Sequence, residues 1–190
     1  GYKKEAFPQW NCHYVDNDQF ETTGELSSLY LAKEKIQGSV IISYGDIVFR
    51  KHVLNLLCES NADVTIVVDS RGVKQDADYY GDFVRGSKNT SAAFHEDFAF
   101  LLEAKLCHKK ELSFTAHGEW IGLLHANAEG AKKLKKGLEY LATTPNFHQL
   151  KMGDFFTYLI NHDVKIAVEY IDGHWMDIDK FADFEKVQVF

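Results

Sequence analysis

The stretch that most constrains this chain is a short apolar run that ends in a glycine and an aspartate. Residues 39–43 (Ser-Val-Ile-Ile-Ser) are mainly β-branched and lack the alternating polar residues of a strand with one wet face. Such a run predicts a strand buried on both faces, as in a parallel sheet covered by helices. Asp46 follows directly after Gly45. Because open α/β sheets bind ligands beyond the carboxyl ends of their strands, we expect Asp46 at a binding site.

The segments after this run predict a single α/β domain. Residues 49–61 have the periodicity of an amphipathic helix, and residues 63–68 form a second apolar run. Strand, helix and strand in this spacing indicate a βαβ unit, for which a parallel sheet is the default. With 190 residues and only two prolines, the chain can build one substantial core and shows no linker. One domain over residues 1–190 is therefore expected.

The rest of the chain predicts further elements of both kinds. Helices are expected at residues 26–36, 94–107, 128–141, 152–160 and 181–187. Strands are expected at residues 12–15, 113–126 and 164–171. Residues 71–90 are expected to form an irregular excursion over the sheet edge. Gly122 lies inside one of these strands, where a glycine often marks close approach by a ligand or another backbone.

Charge and cysteine content restrict the class of partner. The formal net charge of −7 argues against nucleic acid or an anionic membrane as the main partner. A phosphorylated small molecule stays compatible, because a bound cation can neutralise carboxylates locally. Cys12, Cys58 and Cys107 are widely spaced and odd in number, which predicts free thiols rather than a disulfide framework or a zinc site. Without a secretory signal or a long apolar run, a cytoplasmic location is expected.

Two carboxylate sites could carry chemistry. Asp46 follows the first apolar run, and Asp177 and Asp179 follow the last predicted strand. Carboxylates at positions i and i+2 of an extended segment point to one side and can share a cation. Hard oxygen ligands favour Mg²⁺, which normally also holds substrate phosphates. The alternative is structural: the two later aspartates would cap the last helix, and Asp46 would form a turn.

A carboxylate beside an aromatic ring is the second feature with chemical meaning. Glu119 and Trp120 could form an acidic, aromatic wall that suits a cationic head group. The alternative is that Trp120 is an ordinary core residue.

Taken together, five segments resemble motifs of the nucleoside-triphosphate transferase family, of the sugar-nucleotide and choline-phosphate cytidylyltransferase type. They are GYKKE at 1–5, ETTGELSSL at 21–29, YGDIVF at 44–49, GEWIGL at 118–123, and WMDID at 175–179, which is followed by Asp183 and Phe184. Their order along the chain is most similar to the cytidylyltransferase domains of phosphonate biosynthesis, which are often fused behind a phosphoenolpyruvate mutase.

The resemblance implies a fold and a reaction. The fold would be a three-layer α/β/α sandwich of Rossmann-like nucleotidyltransferase type with a mostly parallel central sheet. The reaction would be Mg²⁺-dependent transfer of CMP from CTP (or of the corresponding group from UTP) to a small phosphonate or phosphomonoester, with release of pyrophosphate. No nucleic acid or membrane takes part in such a reaction, and the oligomeric state stays open.

The resemblance also assigns residues. It implies that Asp46, Asp177 and Asp179 are the catalytic and metal-binding acids. It implies that the acceptor is bound by Thr23, Glu25, Ser28, Glu119 and Trp120.

One part of the family pattern lies outside this sequence. In the family, a glycine-rich loop with an arginine and a downstream lysine holds the triphosphate and the base, and it precedes the segment that GYKKE resembles. That segment is expected in a longer parent chain or in another chain, and residues 1–190 alone are expected to be inactive. The alternatives are a sugar-1-phosphate nucleotidyltransferase of the same fold and a non-catalytic relative that binds a ligand.

Overall fold

The structure, a computed structural model, describes residues 3–8, 10–74, 76–89, 99–178, 180–187 and 190. Its strands are β1 (Val40–Ser43), β2 (Ile47–Phe49), β3 (Val64–Asp69), β4 (Tyr80–Gly86), β5 (Ala99–His108), β6 (Gly118–Ala126), β7 (Ile166–Ile171) and β8 (Trp175–Asp177). Its α-helices are α1 (Glu25–Leu31), α2 (Lys51–Glu59), α3 (Ala128–Leu141), α4 (Met152–Asn161) and α5 (Phe181–Val187).

Six of the strands form one sheet, in the order β1-β6-β3-β7-β5-β4, and β2 and β8 form a separate two-stranded ribbon. β3 and β7 run parallel, whereas β6 is antiparallel to β1, β3 and β4, and β5 is antiparallel to β4 and β7. β1 and β3 therefore point in the same direction, as a βαβ unit requires, but β6 lies between them. The α/β class is confirmed with a mixed rather than a mostly parallel sheet, because an apolar run indicates burial on both faces and not strand direction.

Helices cover both faces of the sheet, which gives the expected three layers. On one face, α1, α3 and α4 contribute Leu26, Leu134, Leu138, Phe155 and Phe156 to a core shared with β3 and β6. On the other face, α2 packs through Val53 and Leu57, and the ribbon packs alongside it. The side chain of Asn127 caps α3 by accepting from the backbone N–H groups of Glu129 and Gly130, both over 2.9 Å.

The strand at residues 40–43 is less buried than predicted. β1 lies at the end of the sheet order, its residues alternate between half-buried and exposed, and Ile41 is 45% exposed. The prediction of burial on both faces is wrong here, because an edge strand has a neighbour on one side only. The same prediction is confirmed for β3, in which every residue is buried. β6 is the most extensively paired strand, with nine buried residues and with β1, β3 and β4 as partners.

Three local predictions also need correction. Residues 80–86 and 99–108 are the strands β4 and β5, where an irregular excursion and a helix were expected. Both strands are partly solvent-exposed, and their charged and glycine residues interrupt the alternation of apolar and polar residues that would predict a strand. The beginning of the expected helix, residues 94–98, lies outside the described residues. Residues 12–15 do not form a strand, and nearly all of the described residues before α1 are exposed.

The cysteine prediction agrees with the structure. Cys12 and Cys58 are exposed, Cys107 is buried, and all three are free thiols. Within the described part of the chain, no helix has both the length and the apolar character needed to cross a membrane.

Candidate active site

A cavity of about 450 Å³ lies where β1 ends and where the ribbon meets β4 and β6. Five acidic side chains line it: Glu25, Asp46, Asp82, Glu119 and Asp177. Five aromatic side chains line it as well: Tyr44, Tyr79, Tyr80, Trp120 and Trp175. The described lining residues include no lysine, arginine or histidine. The cavity is therefore both acidic and aromatic.

The ribbon brings Asp46 and Asp177 to this cavity from distant parts of the sequence. In the antiparallel pairing of β2 with β8, Ile47 lies opposite Asp177. The backbone N–H of Ile178 donates to the carbonyl oxygen of Asp46 over 2.8 Å, which extends the pairing by one step. Asp177 is part of a strand that ends at the cavity, so the structural alternative of a helix cap does not describe its environment.

The donor set at this point is suited to Mg²⁺. Asp179, the third predicted ligand, lies outside the described residues. Among the residues that the structure does describe, no group of three or more His, Cys, Asp or Glu side chains is arranged to hold a metal. Mg²⁺ is usually bound by one or two carboxylates together with water and substrate phosphates, so two aspartates beside an open cavity fit this ion.

Glu119 is a buried carboxyl that faces the cavity. Its side chain is 5% exposed, and the hydroxyl of Tyr79 donates to its Oε1 over 2.8 Å. Two glycines make room for it: a Cβ on Gly72 would lie 2.5 Å from the Cβ of Glu119, and a Cβ on Gly81 would collide with its Oε1. Burial raises the pKa of Glu119 to about 7, and the Tyr79 hydrogen bond only partly offsets this effect. The neighbouring acids Asp177, Asp82 and Asp69 also contribute to this raised pKa.

Trp120 is both a core residue and a wall of the cavity. Its ring is 3% exposed, and its indole N–H donates to the carbonyl oxygen of Leu123 over 3.0 Å. It makes edge contacts with Tyr44 and Phe156, at ring-centre distances of 5.0 and 4.9 Å. Trp120 is therefore a core residue, as the structural alternative predicted, and one side of it also borders the cavity.

Asp82 lines the cavity and was not singled out from the sequence. Burial, followed by the nearby Glu25 carboxylate, raises the pKa of Asp82 to about 7, while Lys151 and the Tyr44 hydroxyl act in the opposite direction. The sequence does contain a signal for it: Tyr80-Gly81-Asp82 repeats the tripeptide Tyr44-Gly45-Asp46. Both aspartates line the same cavity.

Of the three residues near α1 that were expected to bind the acceptor substrate, one lines the cavity and two do not. Glu25 lines the cavity, and its Oε1 also accepts from the backbone N–H of Met152 at the start of α4 over 2.9 Å. Thr23 and Ser28 are not among the lining residues. Their hydroxyls instead accept from the side-chain amide of Asn17, over 2.9 and 3.0 Å. The loop before α1 therefore holds these two hydroxyls in its own hydrogen bonds.

Gly122 marks a close approach, as expected for a glycine within a strand. Its φ is +79°, and a Cβ there would lie 2.5 Å from a ring carbon of Tyr44. The backbone N–H of Tyr44 donates to the carbonyl oxygen of Gly122 over 2.9 Å. The approaching group is thus the ring of Tyr44. Burial raises the pKa of this tyrosine far above its ordinary value, so that the phenol stays neutral.

No protein-family model and no curated protein matches this sequence. Solved structures do match its fold. A protein assigned as glucose-1-phosphate thymidylyltransferase from Bacillus anthracis superposes with a TM-score of 0.61 at 13% identity, over 94% of this chain and 63% of its own. The CTP:phosphocholine cytidylyltransferase from Streptococcus pneumoniae superposes with a TM-score of 0.60 at 18% identity, over 91% of this chain and 66% of its own.

A third structure agrees with these two. The inositol-1-phosphate CTP transferase from T. maritima superposes with a TM-score of 0.61 at 15% identity, over 88% of this chain and 60% of its own. The chain therefore has the Rossmann-like fold of nucleotidyltransferases that act in sugar-nucleotide and cytidylyl transfer. It spans about two thirds or less of the length of these structures.

Proposed function

We propose that this domain belongs to an enzyme that transfers CMP from CTP to a small phosphonate or phosphomonoester and releases pyrophosphate. The observation that carries the proposal is the meeting of Asp46 and Asp177 at one cavity of a nucleotidyltransferase fold. UTP is the alternative donor. The link to phosphonate chemistry, and to a phosphoenolpyruvate mutase partner, rests on the sequence resemblance and belongs to the proposal.

The proposed reaction is a single displacement at phosphorus. An oxygen of the acceptor attacks the α-phosphorus of CTP in line, the new P–O bond forms, and the bond to the bridging oxygen of pyrophosphate breaks. No covalent bond to the protein is formed. Asp46 and Asp177, with Asp179 as the third proposed acid, would hold Mg²⁺, which offsets the charge that develops on the phosphate oxygens. The acidic cavity would repel a bare triphosphate, so a cation at this pair of acids is an electrostatic requirement.

The composition of the cavity supports a cationic acceptor. Glu119 and Asp82 are buried or half-buried acids on neighbouring strands, and Tyr79 and Trp120 stand beside them. A carboxylate among aromatic faces attracts an ammonium group through charge and through cation–π interaction. We therefore propose an acceptor with a phosphonate or phosphate at one end and an amino or quaternary ammonium group at the other. Glu25 contributes further negative charge to the cavity. Acceptor binding by Thr23 and Ser28 stays a prediction, and neither residue is among those that line the cavity.

The experiment that tests this function is a matrix of donors and acceptors. Pyrophosphate release by the intact protein is measured with CTP, UTP and dTTP, each with phosphocholine, an aminoalkylphosphonate, a neutral alkylphosphonate and glucose 1-phosphate, with and without Mg²⁺. We expect the highest kcat/KM for CTP with an ammonium-bearing acceptor. A preference for glucose 1-phosphate would instead establish the sugar-nucleotide alternative, and ligand binding without pyrophosphate release would establish a binding domain.

One variant tests whether the ammonium group of the acceptor substrate binds at Glu119 in the cavity. Glu119→Gln keeps an acceptor oxygen for Tyr79 but removes the charge, so KM for the ammonium-bearing acceptor should rise about tenfold or more while KM for the neutral alkylphosphonate stays the same. Asp163→Asn is the matched control, because Asp163 is exposed, is not among the lining residues, and has a left-handed φ of 60° that asparagine tolerates.

A further inference from the structure

Asp69 is a buried acid at the end of β3 that is not among the residues lining the cavity. It is 4% exposed, and its carboxylate accepts hydrogen bonds from three residues. Its Oδ1 accepts from the backbone N–H of Arg71 over 2.9 Å and from the backbone N–H of Gly173 over 3.1 Å. Its Oδ2 accepts from the indole N–H of Trp175 over 2.8 Å and from the Arg71 guanidinium over 3.1 Å. Both oxygens of the Asp69 carboxylate therefore accept hydrogen bonds from neighbouring parts of the chain.

Two of these donors lie where β7 leads into β8: Gly173 is in the connection, and Trp175 is the first residue of β8. Gly173 and His174 have successive left-handed φ values of +82° and +67°, which make a tight reversal. The Arg71 guanidinium lies against Gly173, where a Cβ would collide with it. Trp175, the first residue of β8, follows this reversal at once. The carboxylate of Asp69 therefore fixes both the turn and the first side chain of β8.

The position of β8 determines the position of Asp177. β8 has only three residues, and its pairing with the equally short β2 sets Asp177 opposite Ile47. A ribbon of this size has too few hydrogen bonds to hold itself in place. It packs on the sheet through Ile47, Phe49 and Trp175. Of these three side chains, Trp175 is the one that Asp69 holds by a charge-assisted hydrogen bond.

We propose that Asp69 is the positioning residue of the active site, which sets Asp177 against Asp46 by clamping the β7–β8 turn and the indole of Trp175. The inference rests on the proposed function in that it takes this aspartate pair as the reacting centre. Asp69 acts from outside the cavity, as a hydrogen-bond partner of the element that carries the acid. Outer-shell partners of this kind typically change metal affinity by 10- to 100-fold when they are replaced.

The test is amide and indole hydrogen exchange by NMR on three variants. Asp69→Asn keeps the side-chain volume but sets an NH₂ group against at least one of the present donors. Trp175→Phe keeps a ring and removes the indole donor, and it also identifies the Trp175 indole resonance. Asp172→Asn is the control, because Asp172 has a 78% exposed side chain and contacts the same arginine only at 3.7 Å.

We expect the Ile178 amide, which bonds to Asp46, to exchange at least tenfold faster in Asp69→Asn and in Trp175→Phe. The amides of Leu123 and Leu124 in β6 should change less than twofold, and Asp172→Asn should behave as the wild type. Unchanged Ile178 exchange would overturn the inference, and so would equal acceleration throughout β6, which would mean that Asp69 only adds global stability. Where Asp69→Asn does not fold, Trp175→Phe alone gives the same two outcomes.

A titration with Mn²⁺ separates this inference from the proposed function. Paramagnetic broadening near Asp177 reports the dissociation constant, which should rise about tenfold in Asp69→Asn and stay unchanged in Asp172→Asn. If the wild type does not bind Mn²⁺ while Ile178 exchange still responds to Asp69, the metal-dependent function is wrong and the positioning role stands. If Mn²⁺ binds equally well to the wild type and to Asp69→Asn, the positioning role is wrong and the function stands.

Discussion

The hydroxyl of Tyr79 donates a hydrogen bond to Glu119 over 2.8 Å, but this bond favours the ionised carboxylate less than burial disfavours it. Burial raises the pKa of Glu119 from 4.5 to about 7, and it raises the pKa of Asp82 from 3.8 to about 7. The folded chain therefore binds more protons at these two sites than the unfolded chain does between about pH 4 and pH 7. The cavity is expected to change its charge close to neutral pH.

Stability should fall with rising pH because of these two groups. Each contributes a loss of up to about 1.4 kcal/mol per pH unit across the window from its ordinary pKa to about 7, and no further loss above it. In urea unfolding at pH 5, 6, 7 and 8, Glu119→Gln should therefore gain stability relative to the wild type as the pH rises. A difference between the two proteins that is independent of pH would show that Glu119 has an ordinary pKa.

Removing one acid of the aspartate pair should abolish stabilisation by Mg²⁺. At about 100 times its dissociation constant, a bound ion stabilises the folded state by about 2.7 kcal/mol, which thermal unfolding with and without Mg²⁺ measures as a rise in Tm. We expect Asp177→Asn to lose this rise. Without metal, the variant should be at least as stable as the wild type, because the charge of Asp177 disfavours ionisation of Glu119 and Asp82.

Asp163→Asn serves again as the control and should keep the full Mg²⁺ effect. An equal rise in Tm for Asp177→Asn and the wild type would place the metal elsewhere.

Gly122→Ala should be strongly destabilising. A left-handed φ costs a non-glycine residue roughly 1–2 kcal/mol, and pressing a Cβ into the Tyr44 ring adds an overpacking cost of about 1–3 kcal/mol. The total loss is expected at about 2–5 kcal/mol in denaturant unfolding. Gly45→Ala is the matched control on the same cavity, because a Cβ there meets nothing within 4 Å, and its unfolding free energy should stay within about 0.5 kcal/mol of the wild type.

Asn127→Ala should remove the N-cap of α3. The side chain satisfies two backbone N–H groups at the start of the helix and donates to Asp63 over 3.0 Å, so a loss of about 1–2 kcal/mol is expected. Asn146→Ala provides the comparison, since Asn146 precedes a short 3₁₀ turn without a side-chain capping bond. Equal stability of the two variants would mean that water replaces the cap at no cost.

Three of the acids singled out from the sequence line one cavity, although the sheet around them was predicted less well. Asp46 and Asp177 were chosen because each follows a predicted strand, and Glu119 because it neighbours Trp120; the structure places all three on one cavity. This works because the ends of neighbouring strands share a sheet edge whichever strand order is adopted. Asp82 was missed because its strand, although largely buried, mixes glycines and charged residues with apolar ones, which leaves no clear alternation.

Strand order and exposure could not be predicted from local pattern. β1 and β3 have similar apolar runs, yet β1 is an edge strand and β3 is fully buried. Both strands pair with β6, but β3 also pairs with β7 on its other side, whereas β1 ends the sheet order; β6 and β7 both lie far from β1 and β3 in sequence. Side-chain polarity records how much of a segment can be buried, whereas its neighbours depend on the rest of the chain.

The late position of β6 in the sequence also affects how the chain folds during synthesis. In the described structure, β1 and β3 pair with β6 and β7, which are both translated after them. At roughly 5–20 residues per second, the ribosome needs several seconds to advance from the end of β3 to the end of β6. Until then, β1 and β3 lack the strand partners that they have among the described residues, so nascent chains stalled before Gly118 should depend strongly on chaperones to stay free of aggregates.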